Sequence, residues 1–252
     1  MNKVIKIICL TICLVVFIFS AYKIIDYIFQ EKEYEALQGE LINKAVSEVQ
    51  INQEEQKEEK YLERTLPITV DFSVLQKENE DIVAWIYSEN TPINYPIVQS
   101  NDNSYYLRRL INGEYNVAGT IFMDFRNNPN MEDNNTIIYG HNMKNDIMFG
   151  TLQDYEDQSY YDEHKSMYLF TAKKQYIIEL VAGYTLPVDS DIYNMVTIDQ
   201  NNITEAMSKS DFKSDVIIQE EEKFVTLSTC SYEYDGARYV VIGALRQIEE
   251  NY

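Results

Sequence analysis

Cys230 closes the apolar, β-branched run Thr226-Leu227-Ser228-Thr229-Cys230, and Arg238 opens the next one after the connection Ser231–Ala237. If the two runs pair as an antiparallel hairpin, the residues bounding the loop face each other, which makes a thiol and a guanidinium neighbours across one ladder. A cation heading an otherwise apolar run fits a polar site; the alternative is a stem packed on the sheet with its head in water. His141 follows the β-like Thr136-Ile137-Ile138-Tyr139 through Gly140. A strand end followed by a glycine turn is a rigid place from which to project an imidazole. Each residue alone has an ordinary structural reading. Together they form a set for acyl transfer: a thiolate attacks a carbonyl carbon, an imidazole protonates the leaving amine, and a guanidinium steadies the oxyanion. With reference pKa values and independent titration, only about 1% of molecules would carry thiolate and imidazolium together at pH 7. The second histidine, His164, sits in Tyr-Asp-Glu-His-Lys and reads as a solvated bystander.

The elements around these residues begin with a membrane signal. Cys9 and Cys13 lie in an apolar run that extends from Val4 to Tyr22, about the length of a bilayer-spanning helix. Lys3 precedes it, Lys6 snorkels at its near end and acidic residues follow, so the positive-inside rule puts the N-terminus in the cytoplasm and the rest outside. Phe19-Ser20-Ala21 faintly resembles a signal-peptide cleavage site, but the apolar run resumes at Ile24-Ile25, which favours an uncleaved anchor over residues 1–29. Two membrane cysteines cannot pair with an external one, so Cys230 is either a small buried hydrophobe or a nucleophile.

Residues 30–66, with Glu54-Glu55-Gln56-Lys57-Glu58-Glu59-Lys60, read as a charged, partly helical stalk ending near Pro67. Its apolar spacing does not persist through several heptads, so a coiled-coil dimer has weak support. Residues 67–252 form the extracytoplasmic domain. A short helix is predicted from Phe72, then β-like runs at 83–87, 97–98, 119–123, 136–139, 167–170, 176–181, 224–229 and 239–245. Helices are predicted near 149–156 and 203–212. Such spacing implies a mainly β, closed or sandwich-like architecture.

Composition removes other function classes. Forty-one acidic against 21 basic side chains give a net charge of −20. A chain this acidic, with no basic stripe, repels a phosphate backbone, which argues against nucleic-acid binding. Hydrophobic residues at 45% and aromatic residues at 13% exclude a wholly disordered chain.

Several stretches in register carry a resemblance. Thr226–Cys230 with Arg238, and Asn-Thr-Ile-Ile-Tyr-Gly-His-Asn-Met (135–143), closely resemble the class B sortases. So do Ile93–Gln99, Tyr105-Tyr106-Leu107 and Gly119–Asn127, and the likeness covers roughly residues 70–246. The resemblance implies an eight-stranded β-barrel with N-terminal helices and a helix in the loop before the cysteine strand. It implies a cysteine transpeptidase of Gram-positive bacteria that cleaves a C-terminal sorting motif after Thr. The surface protein is then held on Cys230 as a thioacyl intermediate until an amine of peptidoglycan or lipid II resolves it. By carry-over His141 is the general acid/base and Arg238 the oxyanion or substrate stabiliser. Asn94, Ser228, Thr229, Ile192 and Tyr193 would line the sorting-motif groove. No metal or cofactor is implied, and Asp189 and Asp191 read as a solvated loop rather than a calcium site.

Three alternatives stand beside this. A Cys/His wall peptidase or amidase would use water as acceptor, but such enzymes usually place Cys before His. An L,D-transpeptidase would have a His-Gly pair before its cysteine, which Ser228-Thr229 is not. In a non-catalytic, membrane-tethered binding domain the thiol would be incidental.

Overall fold

A computed structural model describes residues 3–49, 66–143, 145–193, 200–230 and 236–248. The chain opens with a 43-residue helix, α1 (Lys3–Ala45), then β1 (Val46–Glu48), which pairs antiparallel with β2 (Ile68–Val70). Helix α2 (Phe72–Glu78) starts where Asp71 caps it, its Oδ1 accepting from the Ser73 and Val74 amides.

The remaining strands are β3 (Ile82–Tyr87), β4 (Asn94–Val98), β5 (Phe122–Met123), β6 (Asn135–Tyr139), β7 (Ser166–Phe170), β8 (Gln175–Pro187), β9 (Phe224–Cys230) and β10 (Ala237–Ile248). They close into an eight-stranded barrel in the order β10-β8-β7-β3-β4-β5-β6-β9. β4 and β5 pair in parallel, as do β6 and β9; the other barrel pairings are antiparallel. Alternation along β3 shows how both faces are used. Ala84 and Ile86 enter the main cluster with Ile97, Ile138, Leu227 and Val241, while Trp85 joins Leu41, Phe72, Leu75 and Phe170 beneath α1 and α2.

Helix α4 (Gln200–Lys209) lies in the connection from β8 to β9 and covers β8 and β10 with Ile203 and Ala206. It ends before the predicted residue 212 because the chain is pinned to β8 there. Ser210 Oγ accepts from Gly183 N at 3.0 Å, and Asp211 N donates back to the Gly183 carbonyl at 2.8 Å. The helix predicted near 149–156 is a 3₁₀ helix, Gly150–Glu156, followed by α3 (Gln158–Glu163). Of the run 119–123 only Phe122–Met123 is strand, because Gly119 takes φ +63° in a turn.

The charged segment after residue 30 differs from the solvated stalk read from the sequence. Tyr34, Leu37, Leu41 and Ala45 recur on one face of α1, and Tyr34 (6% exposed) and Leu41 (2%) are buried against the barrel and α2. The periodicity that looked loose among the glutamates is a docking face. The cluster 54–60 lies outside the described residues. Ahead of that face, the apolar stretch of α1 is exposed along its length and long enough to cross a membrane.

Candidate active site

Register assembles the site. Arg238 pairs with Cys230 across β9 and β10, as the hairpin argument required, and Leu186 of β8 flanks Arg238 on its other side. On the opposite edge of β9, Tyr139 of β6 pairs in parallel with Ser228, and Gly140 N donates to the Ser228 carbonyl at 3.1 Å. His141 therefore leaves β6 two residues past the level of Ser228, and Cys230 closes β9 two residues past it. The backbone of Cys230 is placed by this ladder; its side chain and the loop 231–235 lie outside the described residues.

Gly140 has a steric cause. A Cβ there would stand 2.6 Å from Cδ2 of Phe149, whose ring is fully buried. The same loop returns the Phe149 amide to the His141 carbonyl at 3.0 Å, which fixes the histidine backbone from both sides. Gly140→Ala is expected to cost about 1–3 kcal/mol by overpacking and to lower ligation with it. Thermal melts of parent and variant check the first effect, and kcat/KM the second.

The His141 imidazole is half-buried, with Nε2 2.7 Å from the Leu107 carbonyl. A carbonyl only accepts, so Nε2 carries the proton and Nδ1 is the basic nitrogen of the neutral ring. Burial pushes the His141 pKa below its ordinary value; the Leu107 carbonyl opposes this and the nearby Arg108 charge adds to it. The neutral ring therefore dominates at pH 7. Arg238 is half-buried, and among the described residues its guanidinium donates only to the Ala237 carbonyl, at 2.9 Å.

The segment Asp191–Tyr193 forms a 3₁₀ turn docked on this end of the barrel. Asn135 Nδ2 donates to the Ile192 carbonyl at 3.2 Å, and the Tyr193 and Ser228 hydroxyls lie 2.9 Å apart. Ile192, Tyr193 and Ser228 are thus brought together, with buried Thr229 next along β9. Asn94 stands apart from them. Its Oδ1 accepts from Trp85 Nε1 at 2.7 Å and its carbonyl from Gln38 Nε2 of α1 at 2.7 Å. His164 caps α3, its Nδ1 2.9 Å from the Tyr160 carbonyl and its ring 4.3 Å from the Tyr160 ring. It is held in structure rather than freely solvated. No group of three or more His, Cys, Asp or Glu with metal-binding geometry occurs among the described residues.

Sequence reasoning missed the hub beneath this loop. Asp124, with no side-chain exposure, takes Nε and Nη2 of Arg126 at 2.8 and 2.7 Å and the Tyr139 hydroxyl and Asn103 Nδ2 at 3.0 Å each. Tyr139 stacks on Tyr193 with ring centroids 6.3 Å apart, and Arg126 Nη2 reaches the Tyr193 carbonyl at 3.4 Å. The one signal was an acid and a base bracketing an aromatic directly after a β run.

Comparison with known proteins agrees with this construction. The sortase domain family matches residues 86–246. Sortase B of Staphylococcus aureus is 30% identical over 254 residues, covering 98% of this chain and 99% of that one. Sortase B of Listeria monocytogenes is 36% identical over 177 residues, covering 68% and 72%. Among solved structures, a substrate complex of S. aureus sortase B superposes with a TM-score of 0.72 at 29% identity, covering 88% of this chain and all of that one. Sortase B of Bacillus anthracis, in complex with AAEK1, gives 0.69 at 32% identity over 87% and 99%. An eight-stranded barrel closed through a Cys–Arg ladder, with these likenesses along nearly its whole length, makes the chain a member of the sortase family, of class B.

Proposed function

We propose that the protein is a membrane-anchored transpeptidase that uses Cys230 as nucleophile, His141 as general acid/base and Arg238 as oxyanion stabiliser. The thiolate attacks the carbonyl carbon of Thr in the sorting motif of a surface protein. The C–N bond after Thr breaks, and the leaving amine takes the His141 proton. An amine of peptidoglycan or lipid II then attacks the thioester and gives a proton back to His141, which expels the thiolate. Ser228, Thr229, Ile192 and Tyr193 line the motif groove; Asn94, bonded to Trp85 and Gln38, has the weakest claim to it. α1 anchors the enzyme, N-terminus in the cytoplasm and barrel outside.

The observation that carries this reading is the pairing of β9 with both β10 and β6, which brings Cys230, Arg238 and His141 to one end of the barrel. Burial favours neutral His141, which works against the imidazolium that protonates the leaving amine.

The test is incubation with a sorting-motif peptide, with and without an amine acceptor, for the parent and Cys230→Ala. Ligation that needs both the amine and the thiol supports the reading. Hydrolysis indifferent to the amine would make the protein a peptidase, and absence of thiol-dependent turnover would make it a binding domain. Arg238→Lys is expected to lower kcat/KM by roughly 10–10³-fold, because an ammonium cannot present a guanidinium's forked donors.

A further inference from the structure

Only the single helical stretch 24–29, about 9 Å, separates the membrane-crossing part of α1 from its first barrel contacts. About 20 helical residues cross the hydrocarbon layer, which takes α1 from Val4 to Lys23, and Tyr22 at its end and Tyr27 beyond it suit the interface. The run ends at Phe29. The next residue, Gln30, already accepts from Asn116 Nδ2 at its carbonyl (2.7 Å) and from Val117 N at its Oε1 (2.9 Å). Glu31 accepts from Asn145, in the loop that carries His141.

Contacts then climb the helix in order. Gln38 meets β4 at Asn94, and Lys44 meets Glu78 of α2 at 2.9 Å. At 1.5 Å per residue, Glu31 lies about 12 Å beyond Lys23, just past the headgroup layer, and Lys44 about 32 Å. The two segments lowest on α1 are the two that hold the catalytic histidine: the loop after His141, and the excursion 105–117 whose Leu107 carbonyl bonds its Nε2. The far end of the barrel, the turn between β7 and β8 at Thr171–Lys174, faces Thr69–Ser73 beside α2. The end of the barrel that carries His141 is therefore the end nearest the apolar stretch of α1.

We propose that the barrel sits with this end against the outer leaflet, the 105–117 excursion and residues 141–143 and 145–148 forming its lipid-facing surface. Substrates borne in the same membrane then reach the site without leaving it. Leu107 and Arg108 are both exposed at this level, and an apolar side chain beside a cation matches the headgroup layer of an anionic leaflet, even on a chain of net charge −20. The proposal rests on the reading of α1 as an anchor.

The test uses the full chain in vesicles of phosphatidylglycerol and phosphatidylcholine, with Cys9→Ser, Cys13→Ser and Cys230→Ala as background. A fluorophore is placed on Asn145→Cys or on Lys173→Cys, and quenching by a headgroup nitroxide lipid is measured. With 145 at the level of Glu31 and 173 at the opposite end of the barrel, quenching at 145 is expected to exceed that at 173 by about threefold or more. Inserting seven helix-forming residues after Phe29 lifts the barrel by about 10 Å and should bring the 145 signal down toward that of 173. Equal or inverted quenching in protein that floats with the vesicles overturns the seating alone. Failure to float overturns the anchor reading together with it.

Discussion

His141→Ala is expected to lower ligation by roughly 10²–10⁴-fold, the usual worth of a positioned acid/base, while His164→Ala stays within about twofold of the parent. The difference lies in where each ring is held. His141 stands at the exit of β6 beside the end of β9, with Nε2 committed to the Leu107 carbonyl and Nδ1 left for proton transfer. His164 is bound into α3 by the Tyr160 carbonyl and ring. Measuring kcat/KM for both variants with peptide and amine checks this. A dead His164 variant beside an active His141 variant would reverse the assignment.

Asp124→Ala is expected to cost about 2–4 kcal/mol, somewhat less than a fully buried ion pair because Arg126 is 45% exposed and can be rehydrated. That corresponds to a Tm lower by about 5–15 °C for a domain of this size. Ligation should fall further than stability alone explains, because Tyr139 and Arg126 both carry the 191–193 turn on this carboxylate.

The pH dependence follows from the same site. Burial raises the Asp124 pKa, but the Arg126 guanidinium and the other donors outweigh it and hold the carboxyl below its ordinary value. The unfolded chain then takes up this proton at a higher pH than the folded one. Asp124 contributes its full stability above about pH 4 and loses it as pH falls through the folded value. Melts of parent and variant at neutral and acidic pH should therefore converge as the pH drops.

Legibility in the sequence tracked the range of the interactions. The hairpin pairing of Cys230 with Arg238 could be read because the two residues bound one short connection, and loop ends fix register. The short helix at Phe72 and the helix before β9 announced themselves through local pattern. What could not be read joins distant parts of the chain. The Leu107 carbonyl on His141 spans 34 residues and uses a backbone group, which no residue type betrays. Asp124, Tyr139 and Tyr193 meet only once the barrel has closed. In α1, the docking face of Tyr34, Leu37 and Leu41 was hidden by the glutamates between them. The contacts Gln30 makes depend on a loop 86 residues away.

Mass spectrometry of enzyme mixed with a sorting-motif peptide and no amine addresses the central claim most directly. The expected species is one acyl group per chain, equal in mass to the peptide through its Thr, located on the fragment containing Cys230 and released by hydroxylamine. Turnover without such an adduct, or an adduct on any other residue, would contradict it.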